Sequence, residues 1–209
     1  MNQNDIIVFD METGGLRSDY HEAIEIAAIC YNARTLEPYP ESQGGSFVSL
    51  MKPLFPNRLE DGALKVNNIT REQLENAPDQ KVVWNNFVDW VNKFNKTNNK
   101  WGTPIAAGKN IRTFDLLFVN ELNKRHCPKK EKTLLFNERQ QIDLEDFLLH
   151  WFENSSKLPN QKLDTVRELF KLNKNNAHRA MKDVEDTGLL IMKFLKLYRT
   201  LNKRVKFFE

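Results

Sequence analysis

The stretch Ile6-Ile7-Val8-Phe9-Asp10-Met11-Glu12-Thr13-Gly14-Gly15 predicts a strand that ends in two carboxylates and a turn. Side chains alternate along a strand, so Asp10 and Glu12 project from the same face. Two ionised carboxylates among apolar residues repel each other, and a bound cation removes that cost. Carboxylate oxygens suit Mg²⁺ or Mn²⁺, so the pattern favours a metal site. The alternative is an exposed strand end that carries two acids without a ligand.

The rest of the chain alternates strand and helix signals. Residues 23–30 are nearly all apolar apart from Glu25, which predicts a strand buried on both faces. Further strands are predicted at 46–51 and 104–107, and a last one at either 133–136 or 140–143. Prolines and Gly62 predict a loop between residues 53 and 62. Apolar spacing predicts helices that begin after Thr70, lie within 80–95, include 116–122, end near Trp151, and cover 164–172 and about 178–201.

This order indicates an α/β class with a mixed sheet, and 209 residues fit a single domain over residues 1–209. No apolar run is long enough to span a membrane, and the first residues do not resemble a secretion signal. Cys30 and Cys127 are predicted to be reduced thiols, so a cytoplasmic protein without a zinc site is expected.

The net charge of +3 is small, but lysines and arginines cluster around residues 124–132 and 193–206. Basic clusters around buried acids suit an enzyme that attracts a polyanion. The alternative is that each cluster is a solvated face without a ligand.

Residues 10–16, Asp-Met-Glu-Thr-Gly-Gly-Leu, closely resemble the first motif of the DEDDh exonucleases, Asp-x-Glu-Thr-Thr-Gly-Leu. That family includes polymerase proofreading subunits, RNase T and oligoribonuclease. Gly14 replaces the second threonine of the motif, and both acids are retained.

Two later segments resemble the remaining motifs of that family. Residues 108–115 resemble the His-Asn-x-x-Phe-Asp motif and end in Asp115, although Lys109 replaces the histidine and one residue is added after Asn110. Residues 178–183, His-Arg-Ala-Met-Lys-Asp, match His-x-Ala-x-x-Asp. A set of motifs in this order is hard to obtain by accident.

The resemblance implies an RNase H-like fold, a five-stranded mixed sheet flanked by helices. It implies two divalent metal ions, Mg²⁺ or Mn²⁺, held by four acids: Asp10, Glu12, Asp115 and Asp183. His178 is expected to accept the proton of the attacking water. Met11, Thr13 and Asn110 are expected to bind the substrate, with the backbone of residues 11–13 at the terminal 3′-hydroxyl.

The implied activity is 3′→5′ exonuclease cleavage of single strands. DNA is favoured over RNA because the segment 178–183 resembles proofreading domains; the alternative is an RNA-trimming enzyme similar to RNase T or oligoribonuclease. Another class of function is a non-catalytic nucleic-acid-binding or polymerase-associated module. Residues 141–147 faintly resemble a sliding-clamp-binding peptide, although a strand end and a helix face explain them as well.

Three further acids have open roles. Glu25 is expected either to support the site or to form a buried pair. Asp143 is predicted to be structural, and Asp186 to lie on a helix face.

Overall fold

The computed structural model describes residues 4–127, 135–173 and 179–205. Within them, five strands form one mixed sheet in the order β3-β2-β1-β4-β5. Strand β2 is antiparallel to β1 and β3, whereas β4 is parallel to β1 and β5 is parallel to β4. The strands are β1 (Ile6–Thr13), β2 (Ala23–Tyr31), β3 (Ser46–Leu50), β4 (Ile105–Gly108) and β5 (Gln141–Asp143).

Helices cover both faces of this sheet. They are α1 (Asp61–Asn67), α2 (Arg71–Glu75), α3 (Gln80–Asn92), α4 (Asp115–His126), α5 (Leu144–Phe152), α6 (Leu163–Phe170) and α7 (Ala180–Asn202). Short 3₁₀ turns form at Glu41–Gln43 and Pro56–Arg58. Among the described helices, none combines the length and the apolar character that crossing a bilayer would need.

Strand β1 supplies side chains to two hydrophobic cores because its residues alternate between the faces. Ile7 and Phe9 point to the side of α3 and α4, where Phe9 stacks on Phe136 at a ring-centroid distance of 5.1 Å. Ile6 and Val8 point to the opposite side, where they join residues of α5, α6 and α7. The face that carries Ile6 and Val8 is also the face of Asp10 and Glu12, so these acids lie on the α7 side.

Four predicted strands are confirmed to within one residue at each end. For the last strand the second alternative is correct, since β5 covers Gln141–Asp143; part of the first alternative, residues 133 and 134, lies outside the described residues. The peptide 141–147 is built into the fold: Leu144 is fully buried, and Ile142 and Phe147 pack against the same core. These apolar side chains are engaged within the domain, as the strand-and-helix interpretation predicts.

The predicted loop at 53–62 is wrong at its end, because helix α1 begins at Asp61. A small separate core of Ile24, Leu59, Leu64, Ile69 and Leu74 holds α1 and α2 against the end of the sheet. Helices this short are stabilised by tertiary packing, which local propensity does not report. The predicted start of a helix after Thr70 is confirmed, and Thr70 is the N-cap of α2 and forms a capping box with Gln73.

Candidate active site

Three carboxylates from distant parts of the chain meet at the end of β1. Asp10 and Glu12 project from β1, and Asp183 lies in the first turn of α7. One oxygen from each side chain can be chosen so that all three atoms lie within 4.8 Å of one another. Among the described residues, this group could hold a divalent cation, which prefers carboxylate oxygens of this kind.

The electrostatics of this group also favour a cation. Burial, followed by repulsion from Asp10 and then Asp183, raises the pKa of Glu12 from 4.5 to about 9. Burial and the charge of Asp183 raise the pKa of Asp10 from 3.8 to about 7. Because both acids resist ionisation when no cation is near, a divalent metal ion would relieve the unfavourable charge. The residues present therefore fit the metal site that the sequence predicts.

Asp115 lies beside these three acids and contacts β1 directly. It is the first residue of α4 and is almost fully buried, and its Oδ1 accepts a hydrogen bond from the backbone N–H of Met11 at 2.9 Å. Burial, and then the charge of Asp10, raise its pKa well above the ordinary value. The described group that could hold a metal consists of the other three acids. In this geometry Asp115 fixes the end of β1.

An open pocket of about 310 Å³ adjoins the carboxylates. Met11, Glu12, Thr13 and Phe114 are among the residues that line it, together with Leu16, which is 80% exposed. The N–H of Met11 donates to Asp115, while Met11 and Thr13 both line the pocket, so the predicted contact of the backbone at residues 11–13 with the substrate stays a prediction. The carbonyl of Thr13 accepts a hydrogen bond from the Asn67 side chain at 3.0 Å.

Asn110, for which the family resemblance predicts substrate binding, makes local contacts in the structure, and its contact with substrate stays a prediction. Its backbone lies in the left-handed region at φ 57°, and its N–H donates to Asp143 Oδ1 at 2.9 Å. Its side-chain oxygen accepts from the hydroxyl of Thr113. Asn110 is also absent from the lining of the pocket. Asp143 is structural, as predicted, since it also caps α5.

His178 lies outside the described residues. Helix α7 begins at Ala180, just after this segment, and Arg179 is its N-cap. Arg179 forms an ion pair with the buried carboxylate of Glu25 at 2.8 Å, and the same carboxylate accepts from the N–H of Ala180. Glu25 therefore anchors the start of α7 from strand β2, which agrees with the predicted buried pair.

Arg167 of α6 also belongs to the site, although no motif in the sequence includes it. Its side chain is fully buried, and it forms ion pairs with Asp183 at 2.5 Å, Asp186 at 2.8 Å and Asp164 at 3.1 Å. The prediction that Asp186 is simply a helix-face residue is therefore wrong: it is buried and paired with Arg167 and Lys182. The one signal in the sequence was the spacing of Asp183 and Asp186, which lie one turn apart on the same helix face and can therefore share a partner.

Comparison with known proteins gives independent information about this site. A family model described as exonuclease, RNase T, matches residues 7–190. Among curated proteins, DNA polymerase III PolC-type of Bacillus subtilis is 27% identical over 199 residues, which cover 94% of this chain. The chain spans only 12% of the length of that relative.

Two solved structures illustrate the likeness of the fold. Escherichia coli exonuclease I, crystallised with a dT13 oligonucleotide, superposes with a TM-score of 0.73 at 17% identity, over 95% of this chain and 43% of that one. Cell-death related nuclease 4 gives a TM-score of 0.72 at 15% identity, over 93% of this chain and 64% of that one. Together with the sheet order, these likenesses confirm the predicted RNase H-like fold with a five-stranded mixed sheet.

Proposed function

We propose, on the premise that this chain belongs to the RNase T exonuclease family, that it removes nucleotides from the 3′ end of single-stranded nucleic acid by metal-dependent hydrolysis. One observation carries the proposal: the carboxylates of Asp10, Glu12 and Asp183 converge within 4.8 Å beside a pocket that is open to solvent. A site of this shape suits a chain end, because the pocket has room for a terminal nucleotide next to the acids.

Asp10, Glu12 and Asp183 would hold two divalent ions, Mg²⁺ or Mn²⁺, with Asp115 assisting from beside them. When bound, such ions activate water and stabilise the leaving oxygen of a phosphodiester. Asp115 contributes indirectly. It accepts a hydrogen bond from the backbone N–H of Met11, and this bond holds the part of β1 from which Asp10 and Glu12 face α7. Two observations support a pair of metal ions: the site offers several carboxylate oxygens, and the chain belongs to the exonuclease family.

His178 is proposed to accept the proton of the attacking water. The support is its place five residues before Asp183 in the His-x-Ala-x-x-Asp motif, whose last four residues begin α7. Such a general base typically contributes about 10²–10⁴-fold to the rate. Thr13 and Phe114, which line the pocket, would contact the terminal nucleotide.

DNA is proposed as the favoured substrate. The relatives named DNA polymerase III PolC-type and the exonuclease I structure with bound dT13 support this preference. RNA is the alternative substrate. The 2′-hydroxyl distinguishes RNA from DNA, and no residue of the site is assigned to contact or exclude it. The comparison that decides is hydrolysis of matched DNA and RNA strands, each labelled at the 5′ end, with Mg²⁺ and with chelator.

The catalytic assignment is tested by Asp183→Asn. We expect this change to abolish hydrolysis, since it removes one of the three converging charges while keeping the size of the side chain. A ladder of shortened 5′-labelled products, seen with the unchanged protein and absent with the variant, is the readout. Asp89→Asn, on the exposed face of α3, is the matched control and should retain full activity. Normal turnover by Asp183→Asn would contradict the assignment.

His178→Ala separates proton transfer from metal binding. We expect the rate to fall about 10²–10⁴-fold, while the dissociation constant for Mn²⁺, measured by calorimetry, stays within about threefold of that of the unchanged protein. A loss of Mn²⁺ affinity equal to the loss of rate would show that His178 acts on the metal site and not as the base.

A further inference from the structure

Two exposed aromatic rings enclose an arginine on the surface near the pocket. Tyr20 is 45% exposed and Phe55 is 41% exposed. The guanidinium carbon of Arg58 lies 5.0 Å from the ring centre of Tyr20 and 4.1 Å from that of Phe55. We call these three residues the Tyr20–Arg58–Phe55 stack. Each ring is held by a cation–π contact and still presents much of its surface to solvent.

The stack carries positive charge. In the described part of the chain, no carboxylate lies within ion-pair distance of Arg58. Two more guanidinium groups flank the rings, with Arg17 at 5.8 Å from Tyr20 and Arg125 at 5.9 Å from Phe55, although each of these has its own carboxylate partner. Exposed rings next to an uncompensated arginine match a ligand that has both flat bases and phosphates.

The stack lies near the pocket beside the carboxylates. Glu60, Gly15 and Leu16 line that pocket, and the N–H of Glu60 donates to the carbonyl of Gly14 at 2.8 Å. Arg58 is two residues from Glu60, so their Cα atoms lie within about 7 Å. A single strand of nucleic acid that leaves the pocket past the exposed Leu16 therefore reaches the stack after a short distance.

We propose that the Tyr20–Arg58–Phe55 stack is a second subsite that binds single-stranded nucleic acid on the 5′ side of the terminal nucleotide. The proposal rests on the function proposed above. Bases stack on the rings of Tyr20 and Phe55, and Arg58 contacts the phosphate between them. Double-stranded nucleic acid cannot bind in this way, because its bases are already stacked on each other and do not reach the rings. Since every base has a stacking face, the subsite tolerates any sequence.

The test compares substrates of two lengths. For the double variant Tyr20→Ala/Phe55→Ala, and separately for Arg58→Ala, kcat/KM is measured on a 12-nucleotide thymidine strand and on a thymidine dinucleotide. We expect the ratio of the two values to fall about tenfold or more, as the loss of base stacking and of a phosphate contact predicts. An unchanged ratio overturns the proposal.

Trp101→Ala is the matched control. Trp101 is 60% exposed and also has two cations near its ring, Lys100 at 4.8 Å and Arg139 at 5.7 Å. Its carbonyl accepts from Asn4, which places it near the start of β1, at the opposite end of the strand from the carboxylates. This variant should keep the ratio of the unchanged protein; an equal fall would overturn the assignment of the stack.

Binding without hydrolysis distinguishes this proposal from the proposed function. Fluorescence anisotropy with a labelled 12-nucleotide strand in chelator reports the stack even if the protein cleaves nothing. Weaker binding by the double variant, by about tenfold or more, supports the stack in that case. Equal binding by the variant and the unchanged protein overturns it, whatever the activity.

Discussion

At the scale of single residues, Arg167 connects the site to the interior. Its buried guanidinium forms ion pairs with three carboxylates. Asp183 belongs to the candidate active site, Asp186 lies in the next turn of the same helix, and Asp164 lies in α6. Its permanent charge also lowers the pKa of Asp10, against the larger effects of burial and of Asp183. The protein therefore carries an internal cation beside the place where a metal ion would bind.

We expect Arg167→Met to lower the free energy of unfolding by about 3–5 kcal/mol, because the change removes the buried cation that Asp183 and Asp186 share. Urea denaturation measures this loss. Lys196→Met, which breaks an exposed pair with Glu37, is the control and should cost about 0–1 kcal/mol. A loss for Arg167→Met as small as that of the control would contradict the role of the buried network.

The raised pKa of Glu12 gives a prediction about pH. The folded protein keeps this proton up to about pH 9, whereas the unfolded chain releases it near 4.5. Ionisation is therefore more favourable in the unfolded chain, and the free energy of unfolding of the metal-free protein falls as pH rises between these values. Glu12→Gln removes this term, so the variant should gain stability relative to the unchanged protein from pH 5 to pH 9.

Chemical denaturation at several pH values in chelator measures that difference. Added Mn²⁺ should reverse it at pH 9, since the cation favours the ionised carboxylates of the unchanged protein. A difference that stays constant with pH would mean that Glu12 does not titrate differently in the folded and unfolded chains.

The sequence predicted the acids of the site well but missed their partners. The converging residues Asp10, Glu12 and Asp183 follow from strand alternation and from motifs at fixed spacing. Arg167 lies on a different helix, and no spacing rule connects it to Asp183 across the intervening segment. Contacts between elements of this kind depend on packing angles, which a single sequence does not report.

At the scale of elements, helix α7 packs closely on strand β2 through Gly188. A Cβ atom on Gly188 would overlap the phenol group of Tyr31. We expect Gly188→Ala to lower the free energy of unfolding by about 1–3 kcal/mol through this overpacking, although alanine is the better helix former. Thermal or urea unfolding gives the value, and Tyr31→Phe in the same chain should recover part of the loss.

Gly62→Ala is the control for this change. Gly62 also lies in a helix, α1, but no atom lies within 4 Å of the place of a Cβ. The substitution should be neutral or stabilise by up to about 1 kcal/mol. Equal destabilisation by the two alanines would show that helix packing at Tyr31 is not the cause.

Elements with strong local signals were predicted, and those that depend on packing were not. The helix start at Thr70 and the apolar strand β2 depend on residues that are close in sequence. Helix α1 has two turns only, and its buried residue Leu64 packs on side chains outside the helix: Leu59, Ile69, Leu74 and, from β2, Ile24. The three-residue strand β5 was predicted as one of two alternatives, because a strand this short has little pattern to recognise.

At the scale of the whole molecule, β1 and β2 join the two hydrophobic cores. Ile7 belongs to the core on the side of α3, and Ile6 to the core on the side of α7. The exonuclease family and the RNase H-like fold expected from the motifs are confirmed, over residues 7–190 for the family. We also propose that residues 1–209 form a single domain. Strands β1 and β2 contribute side chains to both cores, so separating them from one core would also expose the other.

A single domain should unfold in one step. Tryptophan fluorescence, to which Trp84 and Trp90 of α3 contribute from one side, and far-ultraviolet circular dichroism, to which the 23-residue helix α7 contributes from the other, should give coincident urea transitions. Two separated transitions would show that the faces of the sheet unfold independently.

The three converging acids come from widely separated stretches of the polypeptide, Asp10 and Glu12 from strand β1 and Asp183 from helix α7. On a ribosome, translation at about 5–20 residues per second puts on the order of ten to thirty seconds between Asp10 and Asp183. During that time a nascent chain has only part of the acid cluster. A product whose synthesis stops before α7 lacks Asp183 and therefore carries only two of the three converging carboxylates.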